Sequence, residues 1–260
     1  SCNSLLEFKN HLTMVDRYIL SRLSDTVTKC QLGFEKFELF EVTKAVKDFI
    51  VEDLCKIYLE FIKPILYENS GNIDTKQITL KVLETCLDTS LRLLHPFMPF
   101  ITEELWQSLV ERCDESIKLG IPESIMVSRY PKIADFKNQK DHIIEDDMKT
   151  VLSVIHAARS LRQRNNISLG IQLPFIIWSD DRDLLDDQGP IKKYFQDIKK
   201  FIKASEIRVI DNSLQKEYIK SLLMDSAVKL ISENLKIYIP MSSILEIQKS
   251  TVDVKDSGKD

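Results

Sequence analysis

Between residues 16 and 110 apolar side chains recur at steps of three and four, the spacing of a stripe down one side of an α-helix. A chain patterned in this way has to bury several such stripes against one another, which predicts a helical bundle. Ile19, Leu23, Val27 and Cys30 form the first stripe, closed by Gly33. Residues 37–67 form a long second one through Phe37, Phe40, Val46, Phe49, Ile50, Leu54, Ile57, Tyr58 and Phe61. Pro64, lacking an N–H, should kink or end it. After a turn at 69–74, Asp74 can cap a third helix with Gln77 as its capping-box partner and Leu80, Leu83, Leu87, Leu91 and Leu94 as its core face. The His95-Pro96 step stops that helix, and Thr102 is placed to cap a fourth. Glu103 and Glu104 then fall in its positive first turn, and Leu105, Trp106 and Leu109 make its buried side.

The pattern changes after Gly120. Residues 121–145 are mixed and turn-rich, with Pro122 and Pro131, and read as an extended connection that wraps the bundle. A helix follows over 142–165. Strand signals then occupy 171–178, 207–210, 227–231 and 235–239, with a helix over 191–204 between the first two. The expected fold is therefore mainly α, a bundle over residues 1–135 followed by a small α+β domain over 136–248. The polar residues 249–260 form a disordered tail. A length of 260 residues accommodates one large or two small domains without disulfide staples.

Composition narrows the function. Lys and Arg number 36 against 40 Asp and Glu, so the formal charge is 36 − 40 = −4, which argues against a wholly basic nucleic-acid binder, and no DNA partner is expected. The six glycines are isolated, so no phosphate-cradling glycine loop can be written. Five scattered cysteines, Cys2, Cys30, Cys55, Cys86 and Cys113, suggest neither a disulfide framework nor a zinc site, and a reducing, cytoplasmic setting fits them best. No run of 18 apolar residues exists, so no membrane insertion is expected. The chain opens at Ser1 without Met, which suggests a cut from something larger.

The histidines, His11, His95, His142 and His156, lack the context of a nucleophilic triad, and the acidic pairs Glu103-Glu104 and Asp180-Asp181 read as caps or loops. No active site is visible. One electrostatic feature does stand out. Residues 148–179 contain no acid, and Lys149, Arg159, Arg162 and Arg164 give them a local charge of +4, the footprint of a surface that meets phosphates. Arg162 lies at the edge of the apolar stripe of its helix, where it can snorkel, bridge domains or touch RNA. In the first helix Arg17, Tyr18, Arg22 and Lys29 are followed by Phe34 and Phe37, and aromatics beside cations can stack unpaired bases while holding phosphates. Phe37 and Trp106 read more naturally as core.

The string LRLLHPFMPFITEELWQ over residues 91–107 resembles the last helix pair of the anticodon-binding domain in class I aminoacyl-tRNA synthetases, and the valyl-tRNA synthetases match best. DRYILSRL from Asp16, VEDLCKIYLEFIKPIL from Val51, SIMVSRYP from Ser124, HAARSLRQRNNI from His156 and LKIYIPMSSIL from Leu235 agree in the same order. The likeness covers about residues 12–247. The run of residues 95–102 favours the valyl over the isoleucyl, leucyl and methionyl enzymes. Tyr18 stands where Trp or Phe is common in the family, and Lys56-Ile57 where many members have Asp-Trp.

The resemblance implies an RNA-binding region without a catalytic or editing domain, both of which belong to the parent chain, as do ATP and Mg. No cofactor is implied here. The segment would begin after the family's Asn-Ala-Arg-Phe helix and stop before its coiled-coil arm. The implied partner is tRNA(Val). Valine codons begin GU, so every cognate anticodon ends in AC, and the protein should read the middle and last bases. Arg17, Tyr18, Arg22 and Phe34 are expected near the anticodon loop, and Arg159, Arg162 and Arg164 on phosphates or bracing the domains. Glu60 and Lys63 are expected as internal polar partners. The alternatives are the same region of an isoleucyl enzyme, or a helical scaffold without anticodon reading.

Overall fold

The computed structural model describes residues 11–67, 73–112, 120–168, 170–211 and 224–245. The chain divides into two compact units, Ser1–Glu145 and Asp146–Asp260. That division falls after Glu145, inside a helix. Cys2, Cys113, the C-terminal tail and most of the 69–74 turn lie outside the described residues.

Helix α1, Met14–Glu35, opens with a capping box in which Thr13 Oγ1 accepts from the Asp16 amide and Asp16 accepts from the Thr13 amide. Ile19, Leu23, Val27 and Cys30 are all fully buried, as their spacing requires. Gly33 does not close the helix. It lies where α1 meets α2, and a Cβ there would come within 2.6 Å of Val42 Cγ2. The predicted second helix is continuous but not uniform: α2, Leu39–Asp48, passes into a π-helix, Phe49–Tyr58, and then α3, Leu59–Tyr67. The wider π turn lets residues four and five apart share a face, so Phe49, Asp53, Leu54 and Tyr58 all point inward. Pro64 sits within α3, three residues before its end.

Helix α4, Ile73–Leu94, turns a different face inward from the one predicted. Ile78, Thr79, Val82, Cys86 and Leu93 are buried, while Leu80 and Leu87 are exposed. Helix α5, Pro99–Val110, starts one turn earlier than expected, with Pro99 at its first position, where a missing N–H costs nothing. Thr102 is consequently buried inside that helix, with its hydroxyl on the Met98 carbonyl. Trp106 is buried and donates to Asp88, but Leu105 is half exposed.

The connection over 120–141 crosses the bundle as expected. Glu103 of α5 accepts from Ser124 Oγ and the Ile125 amide, Tyr130 reaches the Leu93 carbonyl, Gln31 accepts from the Ile133 amide, and Ser24 donates to the Phe136 carbonyl. These contacts run in turn over α5, α4 and α1. Helix α6, His142–Arg164, then starts with the Asp141 side chain accepting from the Ile144 amide.

In the second unit strands β1, Leu173–Ser179, β2, Ala204–Ile210, β3, Ser226–Ser232, and β4, Leu235–Pro240, form one sheet in the order β2-β1-β4-β3. β1 pairs with β2 in parallel through the crossover that contains α7, Phe195–Ile202, and with β4 antiparallel. β1 is central and buried along most of its length, whereas β3 is an edge strand with Val228 and Leu230 exposed. Met148, Val151, Val154, Ile155, Ala158 and Leu161 of α6 are buried, as are Phe175, Ile177, Ile198, Ile202, Ile237 and Ile239.

Candidate nucleic-acid interface

Helix α1 ends in a Schellman motif: the Glu38 amide donates to the Gly33 carbonyl at 2.8 Å and the Phe37 amide to that of Phe34 at 3.2 Å. The residue that takes the left-handed position is Phe37, with φ of 59°. Glycine or asparagine usually holds that place, because a Cβ is strained there. The reversal throws the Phe37 ring outward, where it is 88% exposed. Phe40 is 74% exposed. Their helical spacing, which reads as core, is broken by this turn, and neither is buried.

Phe34 stacks on Phe97 with ring centroids 5.9 Å apart and meets Tyr130 edge-on at 5.6 Å. That trio brings the α1–α2 turn against the α4–α5 turn. One end of the first unit therefore carries Phe37 and Phe40 from the first turn, and Met98 and Phe100 from the second, the last 90% exposed. Lys36 adds positive charge next to Phe37, and Glu35, Glu38 and Glu41 add negative charge around the same turn, so the end is aromatic rather than strongly basic. His95 Nδ1 lies 2.8 Å from the Thr102 hydroxyl. That hydroxyl donates to the Met98 carbonyl, so with its proton spent there it accepts from the His95 ring and ties the end of α4 to the first turn of α5. Apolar side chains so exposed at one end of a bundle are unusual unless something covers them.

The remaining residues predicted on the bundle go inward or pair with neighbours. Tyr18 is buried and donates to Asp53 Oδ1 at 2.8 Å, and Arg22 Nε donates to Asp53 Oδ2 at 3.1 Å. Arg17 is paired with Asp141. Asp16, fully buried, accepts from Tyr58 at 2.6 Å and from the hydroxyls of Thr13 and Thr79. Burial pushes the Asp16 carboxyl above its ordinary value despite these donors, and burial together with Asp16 pushes the Tyr58 phenol far up. The Asp-Arg-aromatic run is therefore a polar staple between α1, the π-helix and α4, and Tyr18 has no face for a base. Glu60 and Lys63, expected as internal partners, are exposed and pair with each other. Only Phe34 among the four predicted bundle residues stands at the aromatic end, as its half-buried support.

A cleft of about 670 Å³ opens beside α4 and α5, lined among others by Asp88, Arg92, Trp106, Arg129 and Asp135. Its charges are already matched, Arg92 with Asp88 and Arg129 with Asp135.

In the second unit Arg159 and Arg164 are exposed, and neither side chain bonds or pairs with another described residue. Arg162 is 1% exposed and points inward, so it cannot touch RNA directly. Cys30 and Cys86 are buried cysteines outside any disulfide, Cys30 pushed up to about 12 by burial, and Cys55 is an exposed one. Among the described residues no cluster of His, Cys, Asp and Glu could hold a metal, and no helix is long and apolar enough to cross a membrane.

A helical unit presenting aromatic rings at one end, joined to a small mixed-sheet unit, has the build of a binding module. The family model for the anticodon-binding domain of tRNA ligase matches residues 16–177, and the chain belongs to that family. Valine–tRNA ligases of Staphylococcus aureus strains JH9, Newman and USA300 are each 27% identical to it over 248 residues, covering 94% of this chain. The chain spans about a quarter of the length of these relatives, 25% in each case.

Proposed function

We propose that this chain is the anticodon-recognition region of a valine–tRNA ligase, which holds tRNA(Val) for aminoacylation by a catalytic domain elsewhere in the parent polypeptide. The observation that carries this reading is the exposure of Phe37, Phe40 and Phe100 at the two turns that the Phe34, Phe97 and Tyr130 rings hold together, in a chain that belongs to the anticodon-binding family. Unpaired bases splayed from a loop stack on such rings, and sequence is then read at their edges. The parent's chemistry would use ATP and Mg²⁺ at its own catalytic domain and take place in the cytoplasm. This region supplies binding and orientation and no reacting group.

Titration of labelled tRNA(Val) transcript by fluorescence anisotropy tests the reading, with a second transcript altered at the middle anticodon base. Discrimination of about 1–3 kcal/mol, the scale of one lost base contact, is expected. Equal affinity for both transcripts contradicts anticodon reading and leaves the scaffold, for which the exposed Leu80, Leu87 and Ile101 would be the docking face.

A further inference from the structure

The α4–α5 turn carries two prolines, Pro96 and Pro99, neither of which has an amide proton to donate. Its backbone bonds are correspondingly few: the Phe97 and Met98 amides both return to the Leu94 carbonyl, at 2.9 and 3.1 Å. Met98, at the N-cap of α5, makes no side-chain cap bond. The side chains of His95 and Thr102, seven residues apart, supply the tie that the backbone lacks. Thr102 is 1% exposed, and its amide and hydroxyl both donate to the Met98 carbonyl, at 3.2 and 2.8 Å.

The protons of this contact follow by elimination. A hydroxyl has one proton, and the Met98 carbonyl takes it; turned toward His95 instead, it would leave two acceptors facing each other at 2.8 Å. His95 Nδ1, 2.8 Å from the Thr102 oxygen, is therefore the donor. Nε2 is buried, and no described residue bonds to it. A charged ring would put an orphaned N–H there, and an orphaned charged donor costs more than an orphaned lone pair. The Glu103 carboxylate is near enough to favour a charged ring, but it takes its bonds from Gln107, Ser124 and the Ile125 amide and none from His95. The ring is neutral, with its proton on Nδ1.

Phe97, within the turn, stacks on Phe34. Met98 and Phe100, on either side of Pro99, are 52% and 90% exposed. A side chain so exposed has little packing of its own, so the backbone of the turn decides where it points. We infer that His95 is a positioning residue for nucleotide binding at this end: as the neutral Nδ1–H tautomer it ties the end of α4 to Thr102 and fixes the turn that presents Met98 and Phe100 to an unpaired base. That a base of RNA is what arrives there rests on the function proposed above; the tie and its tautomer do not.

The full chain, isotope-labelled at the histidine ring nitrogens, reads the tautomer directly. In an imidazole-correlation NMR spectrum at neutral pH, His95 should carry its proton on Nδ1 and show an unprotonated Nε2; a proton on Nε2 overturns the inference. Variants then read the role. Asn places an amide N–H where Nδ1 stands, whereas Gln reaches toward Nε2. H95N should bind tRNA(Val) transcript within about twofold of wild type, and H95Q should lose about fivefold or more, the low end of what one base stacked on a ring is worth. Because His95 acts through Phe100, H95Q/F100A should lose no more than F100A alone, a coupling that a general loss of stability does not produce. T102V, which removes the acceptor, takes the place of H95Q with the same expected loss if urea melts show H95Q unfolded. Additive losses in the double variant, or wild-type affinity in a folded H95Q while F100A is weakened, overturn the role of His95 and leave the proposed function standing. Wild-type affinity in F100A takes that ring out of the interface and overturns both.

Discussion

Phe37 offers a perturbation in which stability and binding should move apart. Its ring is 88% exposed and its backbone is left-handed, so the residue contributes little packing while carrying strain. Replacing it by glycine relieves a left-handed penalty of about 1–2 kcal/mol. It costs about 0.5–1 kcal/mol in extra unfolded-chain entropy. The lost burial, roughly an eighth of a phenylalanine's 1.5–3 kcal/mol, is about 0.2–0.4 kcal/mol. The folded state should therefore be unchanged or more stable by up to about 1 kcal/mol. A ring on which one base stacks is worth about 1–3 kcal/mol, so affinity for tRNA(Val) should fall about 5- to 150-fold. Urea melts and anisotropy titrations of Phe37→Gly measure the two quantities separately. A stability loss of more than about 1 kcal/mol would show that the ring is packed in solution, and wild-type affinity would remove it from the interface.

Two further outcomes follow from the bundle's polar contacts. Tyr58→Phe removes the donor 2.6 Å from the buried Asp16 carboxylate and should cost about 1.5–3 kcal/mol in a urea melt; a loss under about 0.5 kcal/mol would mean that the remaining donors suffice. Glu103, lowered by its bonds from Ser124 and Gln107, and Asp135, lowered by Arg129, both anchor the 120–141 connection. Each folded-state pKa lies below its unfolded value, so the stabilisation is present above about pH 4.5 and is lost as pH falls through the folded values. Amide exchange at Ile125 should accelerate on acidification relative to Ile19, and a parallel response at both would refute that anchoring.

What the residues revealed followed the strength of their pattern. In α1 a single apolar stripe could face only one way, and Ile19, Leu23, Val27 and Cys30 are all buried. In α4 two apolar faces compete, and the richer leucine face lost because Tyr58 reaches the Thr79 carbonyl and Trp106 reaches Asp88. Such partners are far apart in sequence and invisible to periodicity. The Thr13-Asp16 capping box that fixes the start of α1 went unread, because its acid is Asp rather than the usual Glu or Gln. No residue type announced the π-helix, and a phenylalanine in a left-handed cap gave no signal that Phe37 would face solvent. Arg162's place beside the apolar stripe was legible, but its carbonyl partners come from turns that only the folded sheet unit brings together.

On the function proposed above, an RNA loop lies on the aromatic end of the bundle. Ultraviolet crosslinking of the chain to tRNA(Val), followed by mass-spectrometric mapping of the modified peptides, tests it most directly. Crosslinks from anticodon-loop nucleotides should fall on the peptides bearing Phe37, Phe40 and Phe100. Anticodon-loop crosslinks placed wholly elsewhere, with these three unmodified, would contradict it.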